Sequence, residues 1–248
     1  MSRVSFDIDI NIENHSNLLY INLFDIYLYF MQSKLRILII GASGGTGQHA
    51  LRIAVERGHR VTTLLRQPTP HGLPNVQQIV GDPTNVADLA PLLIEQDAVV
   101  SCLGQRNPTV PQLLADAAQT VIDSAPAHLR YVVVSQGLLF PTMNPLVFVL
   151  RAVLSRITAD TAAMEYHVRK SALNWTIVRP PRLTNGQSHE AYVAALDKMP
   201  RGRSAMGRAT LARFLIDACE NSGYVQKVVG LTASPRRQPM PKDILFDQ

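Results

Sequence analysis

The stretch Leu-Arg-Ile-Leu-Ile-Ile-Gly-Ala-Ser-Gly-Gly-Thr-Gly, residues 35–47, decides the fold of this 248-residue chain. Five apolar residues and one arginine run straight into a cluster of glycines, and residues 48–57 then carry apolar side chains at helical spacing. The order of strand, glycine turn and helix is the context in which a dinucleotide-binding fingerprint is convincing. We therefore expect a nucleotide phosphate at this turn, bound by the free N–H groups of the new helix.

The glycines of this turn are spaced G-x-x-G-x-x-G, at Gly41, Gly44 and Gly47. Gly41 is expected to make the tight turn and Gly44 to let the backbone approach a pyrophosphate. Gly47 is expected to let the helix lie close to the strand. The cofactor-binding residues predicted in the turn are Gly41, Ser43, Gly44, Gly45, Thr46 and Gly47.

An arginine, Arg66, directly follows the next predicted strand, residues 60–65. In NAD-preferring folds an acidic residue near this strand end binds the ribose 2′-hydroxyl, whereas an arginine suits a 2′-phosphate. No Asp or Glu lies between Arg57 and Gly81, so nothing in that stretch would repel the phosphate. We therefore expect NADP(H) as the cofactor, with NAD(H) less favoured; the alternative is a solvated arginine at a strand end.

Strands and helices alternate along the rest of the chain. Apolar stretches at 76–80, 98–103, 131–134, 175–178 and 227–232 indicate strands, and helical patterns separate most of them. This alternation predicts an α/β fold, a Rossmann-type doubly wound parallel sheet with right-handed crossovers. We expect a single domain over residues 34–248 with a small C-terminal substrate-side region.

Substrate-side elements are expected at about 140–150 and over 180–248, where the polar, Gly- and Pro-punctuated residues 184–207 suggest a lid. Ligands of such folds bind in the loops that follow the strands. Asp82 is placed where it could meet the adenine amino group, or it could cap the helix that begins near Asn85. The cofactor contacts predicted in these loops are Asp82, Pro83, Leu103, Gly104 and Arg106.

Residues 1–33 differ in composition from the rest of the chain. They hold six of its fifteen aromatic residues and a single basic residue among the lysines and arginines, Arg3. Their most apolar part, residues 18–31, is interrupted by Asn22 and Asp25 and is too short to span a bilayer. One hypothesis is an upstream extension, with the natural start near Met31; the rival is an extra helix or a partner-binding tail.

Composition excludes several classes of function. The chain is 46% hydrophobic with a net charge of +5, and its basic residues are dispersed, which favours anionic cofactors over nucleic acid. Cys102 and Cys219 lie in apolar segments without metal-ligand spacing, so we expect a reducing cytoplasm and no metal site. We expect a cytoplasmic protein that binds a small-molecule substrate but no membrane, as a monomer or weak homodimer.

The sequence resembles the atypical, NmrA-like members of the short-chain dehydrogenase/reductase superfamily, and most closely their flavin reductase/biliverdin reductase B group. The resemblance covers residues 35–232 and implies a single-domain NADPH-dependent reductase. Its nicotinamide would lie near Ser135, flanked by Pro180-Pro181-Arg182. The segments that carry it are the glycine turn, Arg66, Gly81-Asp82, Leu-Gly-Gln-Arg-Asn (103–107), Val-Ser-Gln-Gly-Leu-Leu-Phe (134–140) and Trp-Thr-Ile-Val-Arg-Pro-Pro-Arg-Leu (175–183).

The resemblance suggests Ser135 and Arg182 as catalytic residues and Pro180 as a further cofactor contact. Ser135 would orient the acceptor or the nicotinamide rather than act as a nucleophile. Arg182 stands where the flavin reductase group carries a histidine. Its guanidinium would favour a carboxylate or phosphate on the substrate, or a pyrophosphate oxygen of the cofactor.

Tyr166 and Lys170 match the Y-x-x-x-K motif that supplies the acid and its lysine in ordinary members of the superfamily. Position argues against this role, because Glu165 matches a glutamate that follows the lysine by four residues in extended members. The equivalent tyrosine and lysine positions are then Ile157 and Thr161, and neither residue can replace the tyrosine acid or its lysine partner. We therefore expect hydride transfer with the proton taken from solvent.

Three functions remain open from the sequence. The first is an NADPH-dependent oxidoreductase that transfers a hydride to a small planar acceptor, a flavin or quinone, without a Tyr/Lys acid. The second is a non-enzymatic NADP(H)-binding redox sensor of the NmrA-like type. The third, an epimerase acting on a nucleotide sugar, is weakened by the missing tyrosine.

Overall fold

The computed structural model describes residues 34–70, 72–104, 112–143, 145–185 and 191–234. The predicted extension at residues 1–33 therefore lies outside the described residues. The first half alternates strands and helices: β1 (Arg36–Ile40), α1 (Gly45–Glu56), β2 (Arg60–Leu65), β3 (Val76–Val80), α2 (Val86–Leu93), β4 (Ala98–Ser101), α3 (Leu113–Ser124) and β5 (Arg130–Val134).

The second half begins with a short 3-10 turn, Gly137–Leu139, and two consecutive helices. The elements that follow β5 are α4 (Pro145–Val153), α5 (Ser155–Lys170), β6 (Asn174–Arg179), β7 (Arg182–Thr184), β8 (Tyr192–Leu196), β9 (Ala205–Gly207), α6 (Arg208–Glu220), a second 3-10 turn (Ser222–Tyr224) and β10 (Lys227–Ala233).

Eight strands form one sheet in the order β3-β2-β1-β4-β5-β6-β10-β8, and β7 pairs with β9 in a separate two-stranded sheet. Every neighbouring pair of the large sheet is parallel except β10 and β8. The predicted doubly wound parallel sheet is thus confirmed. Because their strands run the same way, the loops after β1, β2, β4, β5 and β6 meet at one edge of the sheet, which we call the carboxyl edge.

The central strand β1 shows why both faces of the sheet are covered. Its residues 37–40 are at most 1% exposed, as expected for a parallel strand that is buried on both sides. Ile37 and Ile39 pack in one hydrophobic core with α1 and α6. Leu38 and Ile40 pack in a second core with α2, α3 and α5. The alternation of side chains along a strand thus places one core on each face.

Part of the predicted lid, residues 184–207, belongs to the sheet. Residues 192–196 form β8, which pairs antiparallel with β10 and ends the sheet. Tyr192 anchors this strand, because its hydroxyl donates to Asp217 Oδ2 at 2.5 Å and its ring meets that of Phe214 edge-on. Although its sequence, Tyr-Val-Ala-Ala-Leu, is apolar, β8 is a short and partly exposed edge strand, and the polar residues on either side of it favoured the lid interpretation.

Several element boundaries also differ from the predictions. Helix α1 begins at Gly45, three residues before the predicted start, and β4 ends at Ser101 rather than residue 103. In both places backbone hydrogen bonding, rather than side-chain polarity, sets the boundary. Among the described residues, no helix has the length and apolar character needed to cross a bilayer.

Candidate cofactor and active site

The glycine turn between β1 and α1 is too tightly packed for any side chain at two of its positions. Gly41 has φ +81°, and a Cβ there would lie 3.0 Å from the carbonyl carbon and oxygen of Cys102. A Cβ at Gly47 would lie 2.2 Å from the Gly41 carbonyl oxygen. Only glycine allows the turn and the helix to approach each other this closely.

The first turn of α1 is open to an anion. Gly44 occupies the N-cap position in an extended conformation, without a side-chain cap, and the first turn contains no acidic residue. The N–H groups of the first helical residues therefore have no partner in their own helix. With the glycine packing, this arrangement fits a dinucleotide pyrophosphate.

A pocket of about 180 Å³ opens on the β2 side of this turn. Ser43 of the turn, Arg52 of α1 and Thr69 of the loop after β2 contribute polar groups to its lining. Gln78 of β3 fixes the loop, because its side-chain amide accepts from Thr69 N at 3.1 Å and donates to Thr69 O at 3.0 Å. The pocket lies where the adenosine half of a dinucleotide would extend from the turn.

One arginine lines this pocket, and another follows Leu65, which also lines it. Arg66 follows β2 directly and is exposed, at the carboxyl edge where the sequence places it. Arg52 lines the pocket itself and is also exposed. The sequence does not predict a role for Arg52 in the site, because a single arginine on a helix is typical of the solvent-exposed face. Its position two turns into α1, four residues after Gln48, is the only signal that it shares the pocket face of the helix.

A third arginine, Arg208, lies over the glycine turn. A Cβ at Gly45 would come within 2.8 Å of Arg208 Cδ and 3.2 Å of its Nε. The guanidinium donates a hydrogen bond to Asn185 Oδ1. Arg208 is far from the turn in sequence, and no sequence motif predicts that it lies there.

The small β7–β9 sheet brings Arg208 to this place. Arg182 pairs with Ala205, and Thr184 pairs with Gly207, which immediately precedes α6. The same sheet therefore connects Arg182, the predicted substrate-side cation, with the start of the helix that carries Arg208. Arg182 itself is exposed.

The loop after β3 holds Asp82 in a local turn. Its carboxylate Oδ1 accepts from Thr84 N at 2.9 Å and from Thr84 Oγ1 at 2.8 Å. The cap of α2 is instead Asn85, whose Oδ1 accepts from Ala87 N at 3.0 Å. The alternative in which Asp82 caps this helix is therefore wrong, because Asn85 stands nearer and fills the position.

The remaining predicted cofactor contacts vary in exposure. Asp82 and Gly104 are exposed, Pro83 and Pro180 are buried, and Leu103 is half-buried. Pro180 accepts a hydrogen bond from Gly137 N at 2.8 Å, which joins the loops after β5 and β6. Arg106 lies outside the described residues.

A buried cluster joins Ser135, Glu165 and Arg179 at the end of β5. The Ser135 hydroxyl lies 2.5 Å from Glu165 Oε1, and Arg179 donates to both carboxylate oxygens, from Nε at 2.8 Å and from Nη2 at 2.7 Å. The three residues are only 8%, 4% and 8% exposed. Burial alone would raise the pKa of Glu165, but hydrogen bonds from Arg179 and Ser135, with the Arg179 charge, hold it below its usual range.

Tyr166 lies on the outside of α5, while its neighbour Glu165 reaches inward to Ser135. Tyr166 is 56% exposed, and Lys170 donates a hydrogen bond to its hydroxyl. The Tyr/Lys pair thus lies on the surface of α5. The expected equivalent position, Thr161, is buried and donates to Ile157 O at 2.8 Å.

No group of three or more His, Cys, Asp or Glu side chains within the described ranges is arranged to hold a metal ion. Desolvation raises the pKa of both cysteines, Cys102 and Cys219, to about 12. Neither thiol is therefore disposed to react as a thiolate near neutral pH.

Solved structures with the same fold carry several different names. A Streptococcus pneumoniae protein provisionally described as an NADH-flavin reductase is 21% identical, with a TM-score of 0.69 over 81% of this chain and 100% of its own. A Bacteroides thetaiotaomicron protein provisionally described as an epimerase is 18% identical, with a TM-score of 0.68 over 83% and 100%. The oxidoreductase ylbE of Lactococcus lactis is 15% identical, with a TM-score of 0.67 over 81% and 91%.

At these identities the likeness to solved structures establishes the fold alone, and the differing names do not select a reaction. The family comparison is more specific. A profile described as NAD(P)H-binding matches residues 41–222, from the first glycine of the turn to the end of α6 and just beyond. Since that match spans well over half of the chain, the protein belongs to the NAD(P)H-binding family.

Proposed function

We propose that this protein is an NADPH-dependent oxidoreductase that passes a hydride to a small planar acceptor of the flavin or quinone type. The observation that carries the proposal is the glycine turn at Gly41–Gly47, with Arg208 beside it and Arg52 in the adjoining pocket. NADPH bound there would supply a hydride, that is, a proton with two electrons. The family supports a nicotinamide cofactor, and the choice of NADPH and of acceptor class is our proposal.

The arginines divide the anionic groups of the cofactor between them. Arg208 lies beside Gly45 and is assigned to the pyrophosphate, which NADPH and NADH share. Arg52 lines the pocket on the β2 side, and Arg66 follows Leu65 of that lining; both are assigned to the 2′-phosphate. None of the described residues that line this pocket is acidic, so a phosphate there meets no like charge.

The substrate side offers orientation rather than acid–base chemistry. Ser135 follows β5 at the carboxyl edge, and the exposed Arg182 begins the small sheet beside the glycine turn. Tyr166 faces solvent, so we propose that the acceptor takes its proton from water after it has received the hydride. Such a mechanism suits acceptors whose reduced form stabilises negative charge, as flavins and quinones do.

Two measurements test this function together. Titration of nicotinamide fluorescence should show tighter binding of NADPH than of NADH. Oxidation of NADPH at 340 nm should then proceed with flavins or quinones. Failure to bind either cofactor would refute the proposal as a whole. Binding without turnover across a panel of both acceptor classes would favour the redox-sensor alternative.

The remaining proposals concern the setting of the protein. We propose that it works in the cytoplasm, as a monomer or weak homodimer, on a small molecule rather than on nucleic acid. Sedimentation over a tenfold range of concentration would test the assembly state. A stable dimer at the lowest concentration would contradict that part.

A further inference from the structure

The Ser135 hydroxyl already donates its hydrogen to a neighbouring carboxylate. Ser135 Oγ lies 2.5 Å from Glu165 Oε1, and an ionised carboxylate can only accept hydrogen bonds. The hydroxyl must therefore donate to Glu165. What Ser135 can offer to any other group is the lone pairs of its oxygen.

The ionisation of Glu165 follows from its surroundings. Arg179 contacts both carboxylate oxygens, and Arg169 adds a hydrogen bond from Nη2 to Oε2 at 3.3 Å. An arginine keeps its charge, so two guanidinium groups hold the carboxylate in its ionised form. The lowered pKa of Glu165 agrees with this geometry.

The position of Ser135 places it at the other half of the proposed cofactor site. The sheet order β2-β1-β4-β5 puts the pocket on one side of the glycine turn and the end of β5 on the other. A dinucleotide whose pyrophosphate sits at the turn extends its two halves in opposite directions along this edge. With the adenosine in the pocket, the nicotinamide would lie over β4 and β5, toward Ser135.

We infer that Glu165 is a positioning residue: it fixes the Ser135 hydroxyl as a hydrogen-bond acceptor, so that Ser135 recognises an N–H donor beside the nicotinamide. The inference rests on the proposed function and deepens it. Two groups could present this N–H: the carboxamide NH₂ of the cofactor, or an imide N–H of the acceptor. A quinone oxygen, which only accepts, gains nothing from Ser135.

Cofactor analogues test the first source. The 3-acetylpyridine analogue of NADPH keeps the ring carbonyl and replaces the carboxamide NH₂ by a methyl group. Ser135→Ala leaves the Glu165–Arg179 pair complete, so the variant should fold. If the cofactor supplies the N–H, Ser135→Ala weakens NADPH binding roughly threefold to tenfold, the scale of one hydrogen bond, and leaves analogue binding unchanged.

Acceptor analogues test the second source. Lumiflavin carries an imide N3–H, and N3-methyl-lumiflavin lacks it. If the acceptor supplies the N–H, Ser135→Ala raises KM for lumiflavin by a similar factor and leaves KM for the methylated compound unchanged. Either pattern supports the inference and identifies the source.

Glu165→Gln supplies a second variant, because its amide NH₂ can donate to Ser135 and free the hydroxyl hydrogen. A folded Glu165→Gln protein should lose discrimination between NADPH and its acetylpyridine analogue, or between the two flavins. Circular dichroism at each step checks that the variant is folded. If it is not, the Ser135→Ala comparison alone decides the matter.

Equal losses for parent and analogue in both arms, or no loss in either arm, would overturn the inference while leaving the proposed function standing. Wild-type protein that binds neither NADPH nor NADH would instead overturn the proposed function, and this inference with it. The two failures are thus distinguished by the first titration.

Discussion

Arg66 and Arg179 both stand at the carboxyl edge, but their surroundings are opposite. Arg66, which directly follows β2, is exposed and makes no ion pair with any described residue. Arg179, on the β5–β6 side, is 8% exposed, bound to Glu165 through two hydrogen bonds and packed 4.5 Å from the centre of the Phe140 ring. The comparison separates charges that the fold has already neutralised from charges available to a ligand.

This difference assigns different consequences to similar side chains. Removing a partner from a buried pair leaves an uncompensated charge inside the protein, which destabilises the fold. Removing an exposed arginine leaves the fold nearly unchanged and costs only the ligand contact. Stability and cofactor affinity are therefore the two quantities that should respond separately on the two sides.

Glu165→Ala should cause the largest loss. The substitution leaves the buried Arg179 guanidinium without its carboxylate partner, so the free energy of unfolding should fall by about 3–5 kcal/mol. Urea unfolding measures this, with Glu95→Ala as the control, because Glu95 is exposed and its removal should be nearly neutral. A similar small effect for both variants would mean that the buried pair is not a determinant of stability.

Arg66→Ala should weaken NADPH binding by about 10-fold to 100-fold, the scale of a hydrogen bond to a charged group, and leave NADH binding unchanged. Arg60→Ala is the matched control, since Arg60 is exposed on the same strand but at its opposite end. Fluorescence titration provides the dissociation constants. Equal affinities of the wild type for both cofactors would contradict the assignment of the 2′-phosphate.

Arg208→Ala should weaken NADPH and NADH by the same factor, about tenfold, because the pyrophosphate is common to both. The control is Arg213→Ala, an exposed arginine on the same helix, which should leave both affinities unchanged. A loss confined to NADPH would place Arg208 at the 2′-phosphate instead. Unchanged affinities for both cofactors would show that Arg208 does not contact the cofactor.

Acid should reduce the advantage of wild-type protein over Glu165→Gln. The pKa of Glu165 is lower in the folded protein than its ordinary value of 4.5, so its stabilisation is present above that value and lost as the pH falls through the folded pKa. The difference in unfolding free energy between the two proteins should therefore shrink from about pH 6 to about pH 3. A difference that widens in acid would show that Glu165 is not held as a carboxylate.

Tyr166→Phe should have the smallest effect. The side chain is 56% exposed, so turnover should stay close to that of the wild type. Steady-state kinetics with NADPH and a flavin measures it. A loss of about 100-fold, the scale expected for a general acid, would show that Tyr166 and Lys170 take part in proton transfer.

The sequence predicts the β1–turn–α1 unit well because its determinants are local. The close approach of Gly47 to the Gly41 carbonyl involves residues six apart, and the glycine spacing encodes it directly. The large parallel sheet is predicted for a similar reason, since β1, β4 and β5 consist mostly of apolar, buried residues. The five apolar residues of β8 are too short a run to distinguish a strand from a helix, and the strand forms by pairing with β10 at the sheet edge.

The site is less predictable than the fold because its contacts join distant parts of the chain. Arg208 reaches Gly45 because β7 pairs with β9, and the sequence of neither three-residue strand predicts this pairing. The position of Glu165 matches a known pattern on its helix. Its contact with Ser135, thirty residues earlier in the chain, became visible only once α5 was packed against the end of β5.

The side-chain amide of Gln78 fixes one wall of the pocket in place. It holds the loop after β2 through two hydrogen bonds to Thr69, at the edge of the sheet and outside both hydrophobic cores. The same loop carries Leu73, which packs against the core that β1 shares with α1 and α6, so the amide and an apolar contact hold the loop together. A ligand that bridges this loop and the glycine turn should therefore slow amide hydrogen exchange in the loop, which lies at the edge of the sheet, more than in the central strands.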